Sequence, residues 1–569
     1  MGFKALRRLR GLGLGLALAL AGCGAVPRFP LQNPVQRDPD QVPFVGAPEE
    51  YFSPFAWDGA NYMVFHPIAR FLAVDPAGPA ANVNAFDEVP DSSWFENRLG
   101  AHDVNPELVT RGSCGKKVLD AGMPDGSWII DKGKDNGANP GFRVNVPGLG
   151  KFMLKTDPET EPERATGATA IASRIYYALG YFSPCDSVVY FNPKLLKLKP
   201  GLTVTNNEGV TTAFDEKALN SVLKRASHRN GLVRMVASRW LPGKPLGPFR
   251  YEGTRDDDPN DAIAHEDRRE LRAGRLVAAW INHFDSREQN TMDVFLLQNP
   301  QKKAGPGYVQ HYMLDFGDAF GSVWGSDEIS RRLGHASVFD GGYVAEDLVT
   351  FGAIERPWER AERTGGVFNY FSARDFDPEA WRGEYPNPAF MRMTEQDGAW
   401  MARILAGFSD ELIAAAVQVG QYEPVAERYL TQTLISRRNA ILRRYFALVS
   451  PISRLVPDQQ GLCGVDLARL AGVAPNESLS FRGYVYRGAP PRPAPKPRFR
   501  NVTVPKVCLD IPHAQLPESL SPGAAERYVV VDITNGYAPG PLRAHLYDLG
   551  DAGYRLVGIE RPTDLTPPN

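Results

Sequence analysis

The chain has 569 residues, of which 43% are hydrophobic and 23% are charged, and its formal net charge at pH 7 is -2. This composition is typical of a folded globular protein and excludes a largely disordered chain. The near-neutral charge provides no global basic field, so we expect no nucleic-acid partner. The length exceeds that of one ordinary core and predicts several domains.

The N-terminus has the pattern of a bacterial lipoprotein signal. An apolar run of Gly, Leu and Ala over residues 11–20 is too short for a spanning helix, which needs roughly 20 apolar residues, and suits a cleavable signal peptide. Leu20-Ala21-Gly22-Cys23 follows it and resembles a lipobox. We therefore predict a signal peptide over residues 1–22 and lipidation of Cys23. The basic residues ahead of the apolar run are Lys4, Arg7, Arg8 and Arg10.

The lipobox predicts an exported protein whose membrane partner is reached through the lipid anchor. Several acyl chains anchor a protein stably where one chain would not. Gly24 stands where an Asp would resemble the signal for inner-membrane retention, which favours the outer membrane, facing the periplasm or the cell surface. Residues 23–50 are polar and Pro-rich and are expected to form a tether. The alternative is a plain secretory signal with an incidental cysteine.

Four further cysteines lie in the exported part, where disulfides persist. Cys463 and Cys508 lie in the same C-terminal segment, and we predict that they pair. Cys114 and Cys185 are the second predicted pair, although four cysteines permit three full pairings that the sequence does not distinguish.

Strand patterns and one long helix follow the N-terminal segments. Alternation predicts three strands, the last ending at Lys155, with Gly133, Gly137 and Gly141 between the first two. The next pattern is a helix from Glu163 to Leu179, which Gly180 caps. The predicted strands of this region are Ser127–Ile130, Phe142–Val146, Lys151–Lys155, Val188–Phe191 and Leu232–Leu241.

The second half alternates between helical and strand patterns. A helix is expected over Leu271–Phe284, two buried strands over Met292–Gln298 and Tyr308–Leu314, and mostly helices over Met391–Leu448. Two strand-like runs near residues 528–547 predict a small C-terminal β-rich domain. Arginines within the last helical region are expected on a solvated face. These are Arg437, Arg438, Arg443 and Arg444.

Two short motifs carry the most specific chemistry. His283-Phe284-Asp285 is followed by Asn290, five places after the Asp, and Asp315-Phe316-Gly317 ends the second buried strand. Together with the strand ending in Lys155 and the helix after it, this order resembles the protein-kinase-like superfamily. The resemblance is nearer to its HipA-type, phosphoinositide-kinase-like and secreted branches than to ordinary Ser/Thr kinases, and a group of uncharacterised bacterial envelope proteins is similar. The resemblance covers roughly residues 128–446.

The resemblance implies an α+β fold. Its bilobal kinase-like core would have a small β-rich N-lobe and a mainly helical C-lobe, followed by a small C-terminal β-rich domain. The expected order is a signal peptide (1–22), a tether (23–50), an N-terminal extension (51–124), an N-lobe with an insertion (125–245), a C-lobe (246–450) and the C-terminal domain (451–569).

The resemblance also implies a role for each matching residue in binding ATP with Mg²⁺ or Mn²⁺. Phosphoryl transfer depends on positioning and charge neutralisation. Asp285 would orient the acceptor hydroxyl and take its proton, and Arg287 would face the transferring phosphate. Asn290 and Asp315 would hold the cation, because hard cations prefer oxygen ligands. The remaining members of the expected nucleotide site are Lys155, Gly137 and Gly141.

Two departures limit this interpretation. The helix position that should supply a glutamate to Lys155 holds Thr169, and an exported protein meets little ATP. Any of three nearby glutamates could substitute: Glu159, Glu161 and Glu163. The first hypothesis is an envelope lipoprotein that transfers a phosphoryl or nucleotidyl group to an envelope protein or small-molecule substrate. The alternative is a catalytically inactive, kinase-like binding or scaffold lipoprotein. A glycan-binding lipoprotein is a third possibility and would need an exposed aromatic groove.

The lipid anchor predicts a clear difference between the native chain and Cys23→Ser. The native protein should fractionate with membranes and carry a diacylglycerol-modified N-terminal cysteine by intact mass. Cys23→Ser should lack that mass and leave the membrane fraction. A native mass without lipid, or unchanged membrane association of the variant, would contradict the prediction.

Overall fold

The structure is a computed structural model, and it describes residues 26–32, 38–72, 77–101, 104–115, 118–134, 140–205, 211–322, 326–364, 366–475, 478–500 and 505–568. The predicted signal peptide, Cys23 and Gly137 lie outside the described residues. The chain mixes helices with several sheets. None of the described helices is both long enough and apolar enough to cross a bilayer.

The chain divides into two compact units. The larger contains the described residues of Arg37–Asn84 and Val89–Tyr445. The smaller contains those of Met1–Gln36, Ala85–Glu88 and Phe446–Asn569. Two short N-terminal segments thus belong to the same unit as the C-terminal strands.

The main sheet of the larger unit has the strand order β4-β9-β3-β2-β1-β5, with β8 paired to β9. Neighbouring strands are antiparallel except β1 and β5. The strands of this unit are β1 (Trp128–Lys134), β2 (Gly141–Val146), β3 (Gly150–Lys155), β4 (Asp186–Phe191), β5 (Leu196–Leu198), β6 (Thr203–Thr205), β7 (Thr211–Ala213), β8 (His228–Arg229), β9 (Leu232–Arg239), β10 (Lys244–Gly247), β11 (Thr291–Leu297) and β12 (Gly307–Met313).

Alternation along the strands sorts their side chains onto two faces of the main sheet. Phe152 and Leu154 on β3 and Ala237 on β9 are fully buried in one apolar cluster. Met153 and Lys155, which alternate with them, point to the other face. Lys155 therefore lies on the face opposite this apolar cluster.

The larger unit also contains helices and a second sheet, of order β10-β11-β12. The predicted long helix is confirmed, and Gly180 caps it with φ 117°. Here a Cβ would lie 2.3 Å from the Phe95 ring, so the position requires glycine. The helices of the larger unit are α1 (Phe55–Ala60), α2 (His66–Leu72), α3 (Arg98–Ala101), α4 (Pro106–Arg111), α5 (Arg164–Leu179), α6 (Glu216–Arg225), α7 (Arg269–Ile281), α8 (Asp327–Arg332), α9 (Gly341–Thr350), α10 (Pro388–Met391), α11 (Glu395–Ala406), α12 (Asp410–Gln418) and α13 (Pro424–Phe446).

The smaller unit contains two further sheets around a shared apolar core, with orders β13-β14-β18-β17 and β16-β15-β19-β20-β21. Its elements are β13 (Ile452–Pro457), β14 (Gly461–Asp466), α14 (Leu467–Leu470), β15 (Arg482–Arg487), β16 (Arg492–Pro493), β17 (Arg498–Phe499), β18 (Lys506–Asp510), β19 (Tyr528–Thr534), β20 (Leu542–Asp548) and β21 (Tyr554–Glu560).

Parts of the predicted tether pack onto ordered structure. Phe29 and Leu31 lie against a buried cluster of the smaller unit that includes Tyr528 and Tyr547. In the larger unit, Asp40 is buried and accepts hydrogen bonds from the Ser93 backbone and hydroxyl. Pro-rich composition alone does not distinguish a free linker from an extended segment that packs on a domain.

Both predicted disulfides are present. Cys463 and Cys508 pair across β14 and β18, where they are direct neighbours in the ladder. Cys114 and Cys185 join the segment after α4 to the residue before β4. The second bond brings chain segments 71 residues apart together beside the end of the main sheet.

The expected solvated arginine face of α13 is wrong for Arg437 and Arg438, which are 6% and 5% exposed. Arg437 donates to the carbonyl oxygens of Ala279 and Trp280 at 2.6 and 2.8 Å. These carbonyls are at the C-terminus of α7, where the last turn leaves acceptors open; the Ala279 carbonyl also accepts from the Asn282 backbone N–H. Burial lowers the pKa of Arg437 to about 9. Arg443 is exposed, as predicted.

We expect Arg437→Ala to lower the free energy of unfolding by about 3 kcal/mol, because it removes a buried guanidinium that donates to the carbonyls of Ala279, Trp280 and Ser372. Arg443→Ala is the matched control on the same helix and should change it by less than about 0.5 kcal/mol. Urea denaturation of both variants measures the difference. Equal effects would show that the Arg437 contacts contribute nothing to stability.

Candidate functional site

The candidate site is a cleft beside the end of β3, between the main sheet and the loop after β12. Lys155 is the last residue of β3, and its side chain is 14% exposed. Its ammonium lies 2.9 Å from Oδ1 of Asp315, which follows β12. The two residues are 160 positions apart, and the fold brings them together as the motifs predicted.

The backbone at Asp315 is in the left-handed region, with φ 53°. A non-glycine residue there is uncommon and needs support from its surroundings. This conformation turns the chain sharply after β12 and leaves the Asp315 side chain 46% exposed. The Lys155 ammonium holds the pKa of the Asp315 carboxyl below its usual range. Burial lowers the pKa of Lys155, but the Asp315 carboxylate outweighs that effect and leaves it raised.

The loop after Asp315 is fixed to α5. Phe316 is fully buried and stacks on Tyr176, with ring centroids 4.9 Å apart. The Arg164 guanidinium, at the start of α5, donates to the carbonyls of Gly317 and Ala319 at 2.9 and 3.0 Å. These contacts fix the position from which Asp315 reaches Lys155.

The second motif is joined to the strand end directly before Asp315. Asn290 Nδ2 donates to the Asp285 carbonyl at 2.7 Å. The acceptor of this side chain is its amide oxygen, Oδ1. The Asn290 carbonyl accepts from the Leu314 backbone N–H at 2.9 Å, so the two motifs are tied together. His283, at the start of this motif, contacts α5, with Nδ1 3.1 Å from the Tyr176 hydroxyl.

Asp285 and Arg287 form an ion pair at 2.9 Å. Arg287 also contacts the Glu384 carboxylate, so one guanidinium serves two acidic groups. Burial and the neighbouring Glu384 carboxyl raise the pKa of Asp285 well above its usual range, although Arg287 opposes the change. The environment of Asp285 therefore favours its protonated form.

None of the suggested helix-side glutamates supplies the expected partner of Lys155. The Thr169 hydroxyl donates to the Ala165 carbonyl within α5. Glu161 forms a buried ion pair with Arg164, and Glu163 pairs with Arg229. Glu159 is exposed.

Sequence reasoning missed Asp186, the first residue of β4. It is 1% exposed and lines the same cavity as Lys155 and Asp315. Burial raises the pKa of Asp186 to about 7, although Ser238 and Lys155 partly offset this effect. No hydrogen bond of normal geometry reaches either of its carboxylate oxygens from the described part of the chain. Asp186 starts a strand after a cysteine and belongs to no motif, so only the disulfide pairing could have drawn attention to it.

The cavity has a volume of about 220 Å³ and opens between β3, β9 and β11. Lys155, Asp186 and Asp315 are its three closely interacting charged groups. Apolar side chains contribute much of the remaining lining, as is usual for small-molecule sites: Met153, Trp240, Leu241, Met292, Val294 and Leu314. The other polar lining residues are Thr169, Ser238, Arg239 and Gln289.

The predicted glycine loop is described only at its ends. Gly133 lies inside β1 and Gly141 begins β2. A Cβ on Gly141 would lie 2.0 Å from the Leu154 carbonyl oxygen, so the close approach of β3 already requires glycine there. This structural reason accounts for Gly141 without a phosphate ligand.

Within the described residues, no group of three or more His, Cys, Asp or Glu side chains could hold a metal ion. Asn290 and Asp315 together offer two oxygen ligands. Mg²⁺ typically takes one or two carboxylates and completes its shell with substrate phosphates and water. The donor set therefore suits a cation that arrives with a phosphate ligand.

Comparisons with known proteins give little further support. No protein-family model matches the chain, and no curated protein matches it either. Among solved structures, it is similar to the crystal structure of the golgi casein kinase, at 12% identity and a TM-score of 0.22. The similarity covers 59% of this chain and 76% of that chain. A TM-score this low does not establish a shared fold.

Asp186 should make native stability depend on pH. Its pKa in the folded state is raised from 3.8 to about 7, so the native state loses stability as the pH rises between those values. Asp186→Asn removes this loss and should be more stable than the native chain by about 2 to 4 kcal/mol at pH 8, with little difference at pH 4. Urea denaturation at both pH values measures it. A difference that does not change with pH would contradict the assignment, and Asp256→Asn, in an exposed position, is the control.

Proposed function

We propose that this chain is a kinase-like envelope protein that binds a nucleoside triphosphate with Mg²⁺ or Mn²⁺ and transfers a phosphoryl or nucleotidyl group to a hydroxyl. The observation that carries the proposal is the contact between Lys155 and Asp315 in one cavity, together with the backbone hydrogen bond that joins Asn290 to Leu314, directly before Asp315. Each motif alone is weak evidence for nucleotide binding. Their meeting in the fold is stronger evidence, because it requires the spacing, the order and the backbone geometry of both motifs to be compatible.

The lining of the cavity suits both parts of such a ligand. The apolar walls formed by Met153, Met292 and Val294 would contact the base. The ammonium of Lys155 would contact phosphate oxygens, as a compact positive charge does. Asp315 and Asn290 would hold the divalent cation, which would neutralise phosphate charge during transfer.

Asp285 would be the group nearest the acceptor hydroxyl. A positioned carboxylate orients a hydroxyl and takes its proton, and both functions need the ionised form. Arg287 already lies against Asp285 and would approach the transferring group from the same side. Arginine suits this position because its guanidinium can bind phosphate oxygens and a carboxylate in the same plane.

One observation favours the second candidate, an inactive binding or scaffold protein. The Asp285 carboxylate is enclosed by Arg287 and Glu384 and has a raised pKa. A base that is protonated, or whose carboxylate is held by Arg287, would not activate a hydroxyl. In that case the cleft would bind nucleotide without transfer, and the smaller unit would provide the docking surface.

The location proposed from the sequence is the outer membrane, reached through lipidated Cys23. Both disulfides support an exported protein, because such bonds persist in oxidising compartments. The proposed substrate is an envelope protein or a small molecule bearing a hydroxyl, which export would place within reach.

A thermal-shift titration with ATP and either Mg²⁺ or Mn²⁺ tests the binding step. At a hundredfold excess over its dissociation constant, the ligand should stabilise the purified chain by about 2.7 kcal/mol. The shift should require the cation and disappear in Asp315→Asn, which weakens both the cation site and the hold on Lys155. Asp256→Asn, with an exposed carboxylate in a distant loop, should retain it.

The outcomes separate the candidates. No shift with either cation contradicts nucleotide binding altogether. A cation-dependent shift accompanied by transfer of labelled phosphate or nucleotide to envelope material, lost in Asp285→Asn with binding retained, supports the enzyme. Binding without transfer in the native chain supports the scaffold.

A further inference from the structure

Asp315 has two competing uses in the proposed site. In the structure its carboxylate holds the Lys155 ammonium at 2.9 Å. In the nucleotide complex the same carboxylate would hold a divalent cation, whose charge repels a nearby ammonium. Lys155 would then lose the one ion pair that the described residues give it, while its stem remained in a protein interior, which is costly for an isolated charge.

The register of the main sheet shows which carboxylate can take over. Met153, Ser238 and Asp186 are directly opposite one another across β3, β9 and β4. Opposite residues share a face, and so do residues two apart on one strand. Lys155, two residues after Met153, therefore lies on the same face as Asp186.

The two residues are also close enough to meet. Two strand spacings and two residues of offset separate their Cα atoms by about 10 Å across the sheet and about 7 Å along it. An extended lysine side chain and an aspartate side chain that point toward each other can cover this Cα–Cα distance. Each side chain already influences the charge of the other, and both line the cavity.

Among the described residues, no ion pair reaches Asp186, although it is 1% exposed. Its carboxylate has no hydrogen bond of ordinary geometry there, and Ser238, directly opposite on β9, is the nearby hydroxyl that lowers its pKa. The Arg174 guanidinium is nearby, but it donates to the Thr110 carbonyl and the Ser173 hydroxyl. The disulfide at Cys185 fixes the backbone directly before Asp186.

We propose that Asp186 is the positioning carboxylate for Lys155 and replaces the glutamate that α5 lacks. When a cation and phosphate engage Asp315, Lys155 moves to a geometry in which Asp186 orients its ammonium toward the phosphate. Asp186 acts through Lys155 and does not contact the nucleotide. This role rests on the proposed function, because it describes the nucleotide-bound cleft.

A double-mutant cycle on the full chain tests the role. The probe is a non-hydrolysable ATP analogue with Mn²⁺, and its dissociation constant is measured by calorimetry. Asp186→Asn should weaken binding about tenfold, and Lys155→Met should weaken it at least as much. If Asp186 acts through Lys155, the double variant should bind no more weakly than Lys155→Met alone.

Two further variants separate positioning from structure. Asp186→Glu keeps the carboxylate and should recover part of the lost affinity. Asp256→Asn should bind within twofold of the native chain. Thermal unfolding of each variant confirms that it is folded, so a loss of affinity is not a loss of protein.

Each outcome bears on a different claim. A native chain that does not bind the analogue overturns the proposed function and this role with it. A native chain that binds, with Asp186→Asn equally tight, overturns the role alone. Additive losses in the cycle also overturn it, because Asp186 would then act independently of Lys155.

Discussion

The arrangement of the cleft depends on the ion pair between Lys155 and Asp315. It joins the end of a strand to a loop 160 residues later, at 2.9 Å. Both groups are removed from bulk water only in part, so the pair retains its Coulomb attraction without the full desolvation cost of a buried bridge. Every other feature of the cleft either fixes one of these two side chains or competes with the contact between them.

Asp315 reaches Lys155 only because its backbone is held in a left-handed conformation. That conformation costs energy for a side chain with a Cβ. The support comes from the next residues: buried Phe316 stacks on Tyr176, and Arg164 binds the Gly317 carbonyl. Helix α5 therefore controls the position of Asp315, although it provides no carboxylate to Lys155.

The sequence predicted the strands, the long helix and the placement of Lys155 because these follow from local periodicity and caps. It also predicted that the two motifs meet, since their spacing matched a known layout. It missed Asp186, because the importance of this residue arises from the register across three strands. It also placed Arg437 on a solvated face, because an arginine at a helical position has the same local pattern whether it contacts water or carbonyls. Neither fact is encoded in a short window of sequence.

The charges of the cleft suggest a reason for the buried carboxylate of Asp186. Asp285 is matched by Arg287, and Asp315 by Lys155. Among the described residues, no ion pair reaches Asp186, and a buried carboxylate in this state reduces stability. An apolar residue at this position would pack without that cost. A divalent cation at Asp315 would bring positive charge into the cleft and release Lys155 to Asp186. The unfavourable burial of Asp186 is thus the expected cost of a site whose ion pairs rearrange when its ligand binds.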